Sequence, residues 1–148
     1  MRLALFQPDI PQNAGTLIRL GACLGVAVDV IEPCGFPFAD KGFRRAGMDY
    51  LEQAEIARHV SWDAFRKTNS ARLVLVAPDG SMPYTEFSYR PSDTLMLGPE
   101  SAGFPASIRA AVSDSVRIPM RAGLRSINVA LAGAIVLGEA LRQTKSFP

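Results

Sequence analysis

The amino-acid sequence reads as an α/β fold, an open and mostly parallel sheet with helices on both faces. Strand-like and helix-like segments alternate along its length, which is the pattern of such sheets. Residues 73–77 and 94–97 are almost continuous apolar runs, the mark of strands buried on both faces rather than one. No internal repeat, low-complexity tract or linker interrupts the alternation. A chain of 148 residues suits a single domain, 1–148. At that size about 70% of the unfolded surface can be buried.

Residues 3–6 are predicted as the first strand and 8–12 as the turn after it. Asn13 is the expected N-cap of a helix whose stripe is Leu17, Leu20 and Leu24, with Gly25 closing it. Residues 26–31 form the next strand, 33–37 a turn and 40–46 a short helix. A strand over 56–60 precedes a helix over 61–69, with Ser61 as its N-cap. After the strand at 73–77 comes a loop over 78–93, long enough to suggest function rather than mere connection. A strand at 94–97, a helix at 105–112, a strand at 116–118 and an apolar helix over 129–143 complete the chain.

Sixteen basic residues against 14 acidic ones leave a net charge of +2, too weak a field to imply nucleic acid by itself. Thirteen of the cations are Arg, however, whose planar fork pairs bidentately with phosphate and stacks on bases. Cys23 and Cys34 match no zinc spacing and are too few for a disulfide framework, so a reducing compartment and no metal are expected. The first eight residues read as a strand rather than a signal peptide. The longest uncharged apolar stretch, 127–138, is too short to span a bilayer. A soluble, cytoplasmic protein with no membrane partner is the expectation.

In open parallel sheets ligands sit beyond the carboxyl ends of the strands, so the loops after Phe6, Ala77, Leu97 and Met120 are the ones to inspect. The first contains Asn13-x-Gly15-x-x-x-Arg19; Gly15 and Arg19 share a helix face, and the missing side chain at Gly15 leaves room for a partner beside the guanidinium. The third, Gly98-Pro-Glu100-Ser-Ala-Gly103-Phe-Pro105, sets two glycines and a carboxylate directly after a buried strand, where main chain can approach a ligand closely. It is neither a Walker A loop nor G-x-G-x-x-G, which argues against nucleotide hydrolysis and standard dinucleotide binding. The fourth, Ile118-Pro-Met120 running to Ser126-x-Asn128, is a basic, glycine-containing turn into the last helix.

Taken in order and spacing, these motifs resemble those of the SPOUT class of RNA methyltransferases, in its SpoU branch, over essentially the whole chain. Among its members the sequence is most similar to the minimal enzymes that methylate the wobble nucleotide of tRNA, cytidine or uridine 34, because Arg44-Arg45-Ala-Gly-Met-Asp-Tyr50 also matches that group. The resemblance implies S-adenosylmethionine as cofactor, tRNA as substrate, a homodimer, and a deep trefoil knot that, with the cofactor site, occupies roughly residues 73–148. Sequence rules alone argue against a knot. In one place the chain departs from its relatives, which often carry two aromatics where Gly138 and Leu141 stand.

Methyl transfer from a sulfonium to a ribose 2′-hydroxyl needs an in-line approach and a group to take or offset the hydroxyl proton. By resemblance the catalytic residues are Arg19, Glu100, Ser126 and Asn128. Arg19 is a poor base at its ordinary pKa, which favours stabilisation of the developing oxyanion, with the role as base left open. Glu100 orients Arg19, holds RNA, or simply favours the following helix's N-terminal end. Ser126 and Asn128 stand where capping is the ordinary explanation. His59, the only histidine, falls on a predicted edge strand away from these loops and reads as structural. The cofactor is expected against Val76, Gly98, Gly103, Ile118, Met120, Leu124 and Ser126, with Ile118, Met120 and Leu124 covering the adenine. For RNA the expected contacts are Asn13, Arg44, Arg45, Arg121 and Arg125, with Tyr50 or Tyr84 stacking on a base.

The last helix places Ile127, Leu131, Ala134, Gly138 and Leu141 on one face, and Val129, Gly133, Val136 and Ala140 on another. Apolar surface on two sides implies packing against more than one neighbour, for which a second subunit and the domain's own sheet are the candidates. Methylation at another tRNA or rRNA position and a non-catalytic RNA-binding dimer stay open as alternatives. A nucleotide oxidoreductase lacks its glycine fingerprint.

Overall fold

The computed structural model describes residues 1–39 and 41–148. Seven strands, β1 (Arg2–Phe6), β2 (Ala27–Ile31), β3 (Ile56–His59), β4 (Leu73–Val76), β5 (Met82–Pro83), β6 (Thr94–Leu97) and β7 (Asp114–Arg117), form one sheet. Their order is β3-β2-β1-β6-β4-β7-β5 and every pairing is parallel. The helices are α1 (Pro11–Leu24), α2 (Lys41–Gly47), α3 (Trp62–Thr68), α4 (Ala106–Ala111) and α5 (Val129–Thr144), with a 3-10 turn at Met48–Leu51.

Successive side chains along a strand point to opposite faces, and the core divides accordingly. Leu3, Leu5, Val28, Val30, Val74 and Leu95 meet Leu17 and Ile18 of α1, Phe43 of α2 and Val136 and Leu137 of α5. Ala4, Phe6, Leu73, Leu75 and Met96 meet Phe65 of α3 and Ile108 of α4 on the other side. The two helical layers of the expected class are therefore present, α1 and α5 on one face and α3 and α4 on the other.

Several local expectations change. α1 starts at Pro11, with Ile10 as an N-cap that makes no side-chain bond, because proline at the first helical position needs no N–H partner. Asn13 is thus inside the helix and its amide is free for other work. Gly25 does close α1, in the left-handed conformation at φ 64°. The predicted start of α2 at Asp40 lies outside the described residues. Ser61 caps α3, its hydroxyl accepting from Ala64 N–H at 3.1 Å.

The 78–93 loop is no irregular excursion. It carries β5 on the sheet's edge, Tyr89 donates to the Tyr84 carbonyl at 3.0 Å, and the buried Asp93 receives Arg72 at 2.9 and 2.7 Å. The last strand spans Asp114–Arg117, starting two residues before and stopping one residue short of the expected 116–118. In α5 the buried residues include Gly133, Val136, Leu137, Ala140 and Leu141, while Leu131 and Ile135 face outward. Leu141 therefore belongs to the core and not to the face of Leu131.

Candidate active site

The carboxyl ends of β1, β6, β4 and β7 are adjacent in the sheet, so the turns that follow them converge on one cavity of about 440 Å³. Val76 and Pro78 wall it from β4, Gly98, Glu100 and Gly103 from β6, Ile118 and Met120 from β7, and Asn13 from α1. Arg125, Ser126 and Asn128 complete the wall from the turn into α5. Segments drawn from both ends of the chain, from Ile10 to Ala132, thus face one another, and the lining is largely apolar, with Ile10, Phe104 and Val129 contributing.

A chain of hydrogen bonds holds these turns together. Asn128 uses both ends of its amide: Oδ1 accepts from the N–H groups of Ala130 at 2.8 Å and Leu131 at 3.3 Å, capping α5, and Nδ2 donates to Asn13 Oδ1 at 2.9 Å. Asn13 in turn donates from Nδ2 to Glu100 Oε1 at 2.7 Å. Capping and site-building are therefore the same residue's two tasks. Burial, and then a hydrogen bond with Asp9, push the Glu100 carboxyl up to about 7.

Arg19 is not on this wall. It lies six residues beyond Asn13 on α1, about 9 Å along the axis and on another side of the helix. Its guanidinium donates to Met48 Sδ at 3.0 Å and sits 5.0 Å over the Tyr50 ring. Glu100 consequently turns toward Asn13 and Asp9 rather than orienting Arg19. Nor does Gly15 leave a vacancy: α2 fills it, and a Cβ there would stand 2.6 Å from the Phe43 carbonyl oxygen.

Leu124 and Arg121 are exposed and stand off the pocket wall, so Leu124 covers no face of the cavity in this structure. Arg44 and Arg45 are exposed on α2, beside the Arg19 cluster. Tyr50 offers its ring to Arg19, and Tyr84 is half-buried against the core. His59 donates or accepts at Asp29 Oδ1, 2.8 Å away, and meets Phe65 edge-on, a structural role remote from the cavity. Two residues escaped sequence reasoning. Arg109 reaches the wall from α4, held by Asp79 Oδ1 at 3.0 Å and the Phe104 carbonyl at 3.2 Å. Asp9 binds main chain across the turn after β6, a role with no sequence signature.

The description of the SpoU rRNA methylase family matches residues 1–138. The chain belongs to that family. A SpoU relative from Beijerinckia indica, a tRNA (cytidine(34)-2'-O)-methyltransferase, is 57% identical over 144 residues, 95% of this chain and 90% of its own. A solved structure concerned with 2-OH methylation of C/U34 on tRNA superimposes with a TM-score of 0.91 at 37% identity, covering 96% of this chain and 94% of the other. The SpoU methyltransferase AviRb of Streptomyces viridochromogenes, in complex with the cofactor AdoMet, gives 0.84 at 26% identity over 97% of this chain and 60% of its own.

Proposed function

We propose that the protein transfers a methyl group from S-adenosylmethionine to the ribose 2′-hydroxyl of nucleotide 34, cytidine or uridine, in the tRNA anticodon loop. The observation that carries this reading is the junction of the three motif turns on one cavity, in a chain 57% identical to a tRNA (cytidine(34)-2'-O)-methyltransferase. When bound, S-adenosylmethionine supplies an electrophilic methyl group on a sulfonium. The cavity fits it: at about 440 Å³ it is of ligand size, its wall is mainly apolar with a few convergent polar groups, and Glu100 Oε2 is buried without a donor.

Val76, Gly98, Ile118 and Met120 form the apolar slot, and Asn13, Glu100, Ser126 and Asn128 the polar end. Arg19 stabilises the developing 2′-oxyanion and a neighbouring phosphate, and a second copy of the chain delivers it. Support for the homodimer comes from α5, where Leu131 and Ile135 are exposed apolar side chains. Exposed Arg44 and Arg45, on the α2 side with Arg19, are phosphate contacts. The trefoil knot is supported by the strand order, since β4 lies between β6 and β7 and α5 packs back on α1, β4 and β6. Among the described residues no helix is long and apolar enough to cross a membrane, and a cytoplasmic location suits a tRNA substrate.

Incubation of the purified protein with S-adenosylmethionine and total tRNA, followed by nucleoside mass spectrometry, is expected to yield 2′-O-methylcytidine or 2′-O-methyluridine at position 34. Methylation confined to another position, or to rRNA, overturns the assignment. Asn128→Ala is expected to cost about 1 kcal/mol through the lost helix cap. It should also weaken cofactor binding and turnover, because Asn13 loses its donor. Unchanged calorimetric affinity together with an unchanged rate removes Asn128 from the site.

A further inference from the structure

Asp9 belongs to none of the motifs, yet its carboxylate joins two of the converging turns. Oδ1 accepts from the Glu100 N–H at 3.0 Å, and Oδ2 accepts from the Ser101 N–H at 3.1 Å and from the Ser101 hydroxyl. Its side chain also meets the Glu100 carboxyl. Of the two Glu100 oxygens, Oε1 is satisfied by Asn13, whereas Oε2 is buried and without a donor. Two carboxylates facing each other in a partly buried turn do not both stay ionised. A proton on Oε2, donated to Asp9, removes the repulsion and the orphaned oxygen together.

We propose that Asp9 and Glu100 hold one proton between them, that Asp9 is thereby the positioning residue for Glu100, and that a cation entering the pocket expels the proton to solvent. The identity of that cation, the sulfonium of S-adenosylmethionine, rests on the function proposed above. Burial and Asp9 raise Glu100 to about 7. Partial desolvation pulls Asp9 upward, but the donors from Glu100 and Ser101 outweigh it and hold Asp9 well below the usual carboxylate range. Among the described residues Glu100 is the only carboxylic acid on the wall, whose other charges are Arg125 and Arg109, the latter paired with Asp79. A positive ligand therefore favours ionisation of Glu100 first. Asn13, facing it from α1, donates equally well to the ionised form.

The folded value for Glu100, about 7, lies above its ordinary 4.5. The stabilisation is accordingly complete at low pH and is lost as pH rises through about 7. Glu100→Gln should flatten that slope in denaturant titrations.

Two measurements decide the matter. In the free protein, carbon-13 NMR of the carboxyl groups should show one glutamate titrating near pH 7, absent from Glu100→Gln and shifted to lower pH in Asp9→Asn. A Glu100 signal in the ordinary range, or one unmoved by Asp9→Asn, overturns the shared proton. Calorimetric titration with S-adenosylmethionine at pH 7, in two buffers of different ionisation enthalpy, should register release of about half a proton by the wild type. Glu100→Gln should release none, and S-adenosylhomocysteine, uncharged at sulfur, should release less. Binding without release, or release retained by Glu100→Gln, overturns the expulsion and leaves the cofactor reading standing. Absence of binding heat overturns the cofactor reading instead, while the NMR titration still decides whether Asp9 and Glu100 share a proton.

Discussion

Arg19→Ala is expected to lower kcat/KM for tRNA by a factor of about 100 to 1,000, the loss typical when one donor to a developing oxyanion is removed. The fold should survive, because Arg19 is exposed and its recorded contacts are Met48 and Tyr50 at the surface. Since Arg19 stands off the cavity of its own chain, the loss should be complemented in trans. Mixing Arg19→Ala with Asn128→Ala subunits, then letting them exchange, should restore part of the activity, because one site per mixed dimer joins an intact pocket to an intact guanidinium. Wild-type turnover by Arg19→Ala removes the residue from the mechanism, and failure of the mixture to recover places the guanidinium in its own subunit's reaction.

Gly15→Ala should destabilise the protein by about 2 kcal/mol despite replacing the poorer helix former by the better one. On propensity alone the change favours the helix by about 1 kcal/mol. Against this, the new Cβ would lie 2.6 Å from the Phe43 carbonyl oxygen, 2.9 Å from Ala46 Cβ and 3.0 Å from the Gly47 nitrogen. Two of those atoms are backbone of α2, so relief requires moving α2 off α1. That movement in turn loosens Phe43 from the cluster it forms with Phe36 and Phe38. Differential scanning calorimetry should find the unfolding midpoint lowered by about 4–8 °C. A raised midpoint means that the α1–α2 contact yields at little cost.

The contrast between what sequence reading caught and what it missed follows from the range of the forces involved. Strands at 73–77 and 94–97 were legible because burial on both faces demands apolar side chains at every position. Ser61 and Gly25 were legible because helix ends are satisfied locally. Asn13 misled for the same reason: an asparagine before an apolar stripe looks like a cap, and nothing nearby reveals that its partners are Glu100 and Asn128. β5, two residues ending in proline, has no periodicity to detect and exists only because β7 offers an edge. Of the predicted site, most of the cavity wall follows from the strand-end rule together with the motifs. Arg19 and Leu124 did not fall there, since a helix's rotation and a loop's path are set by packing that no short segment records.

The hydrogen bonds that seal the cavity join residues 87, 91 and 115 positions apart in a chain of 148. Loops of that length close late, after the entropy of ordering everything between their ends has been met. A chain emerging from the ribosome therefore lacks this cavity until its last helix has appeared, and proteolytic removal of α5 is expected to open it even where β1–β4 persist. Protection of the Glu100 and Leu131 amides against hydrogen exchange should accordingly rise in a single step during refolding.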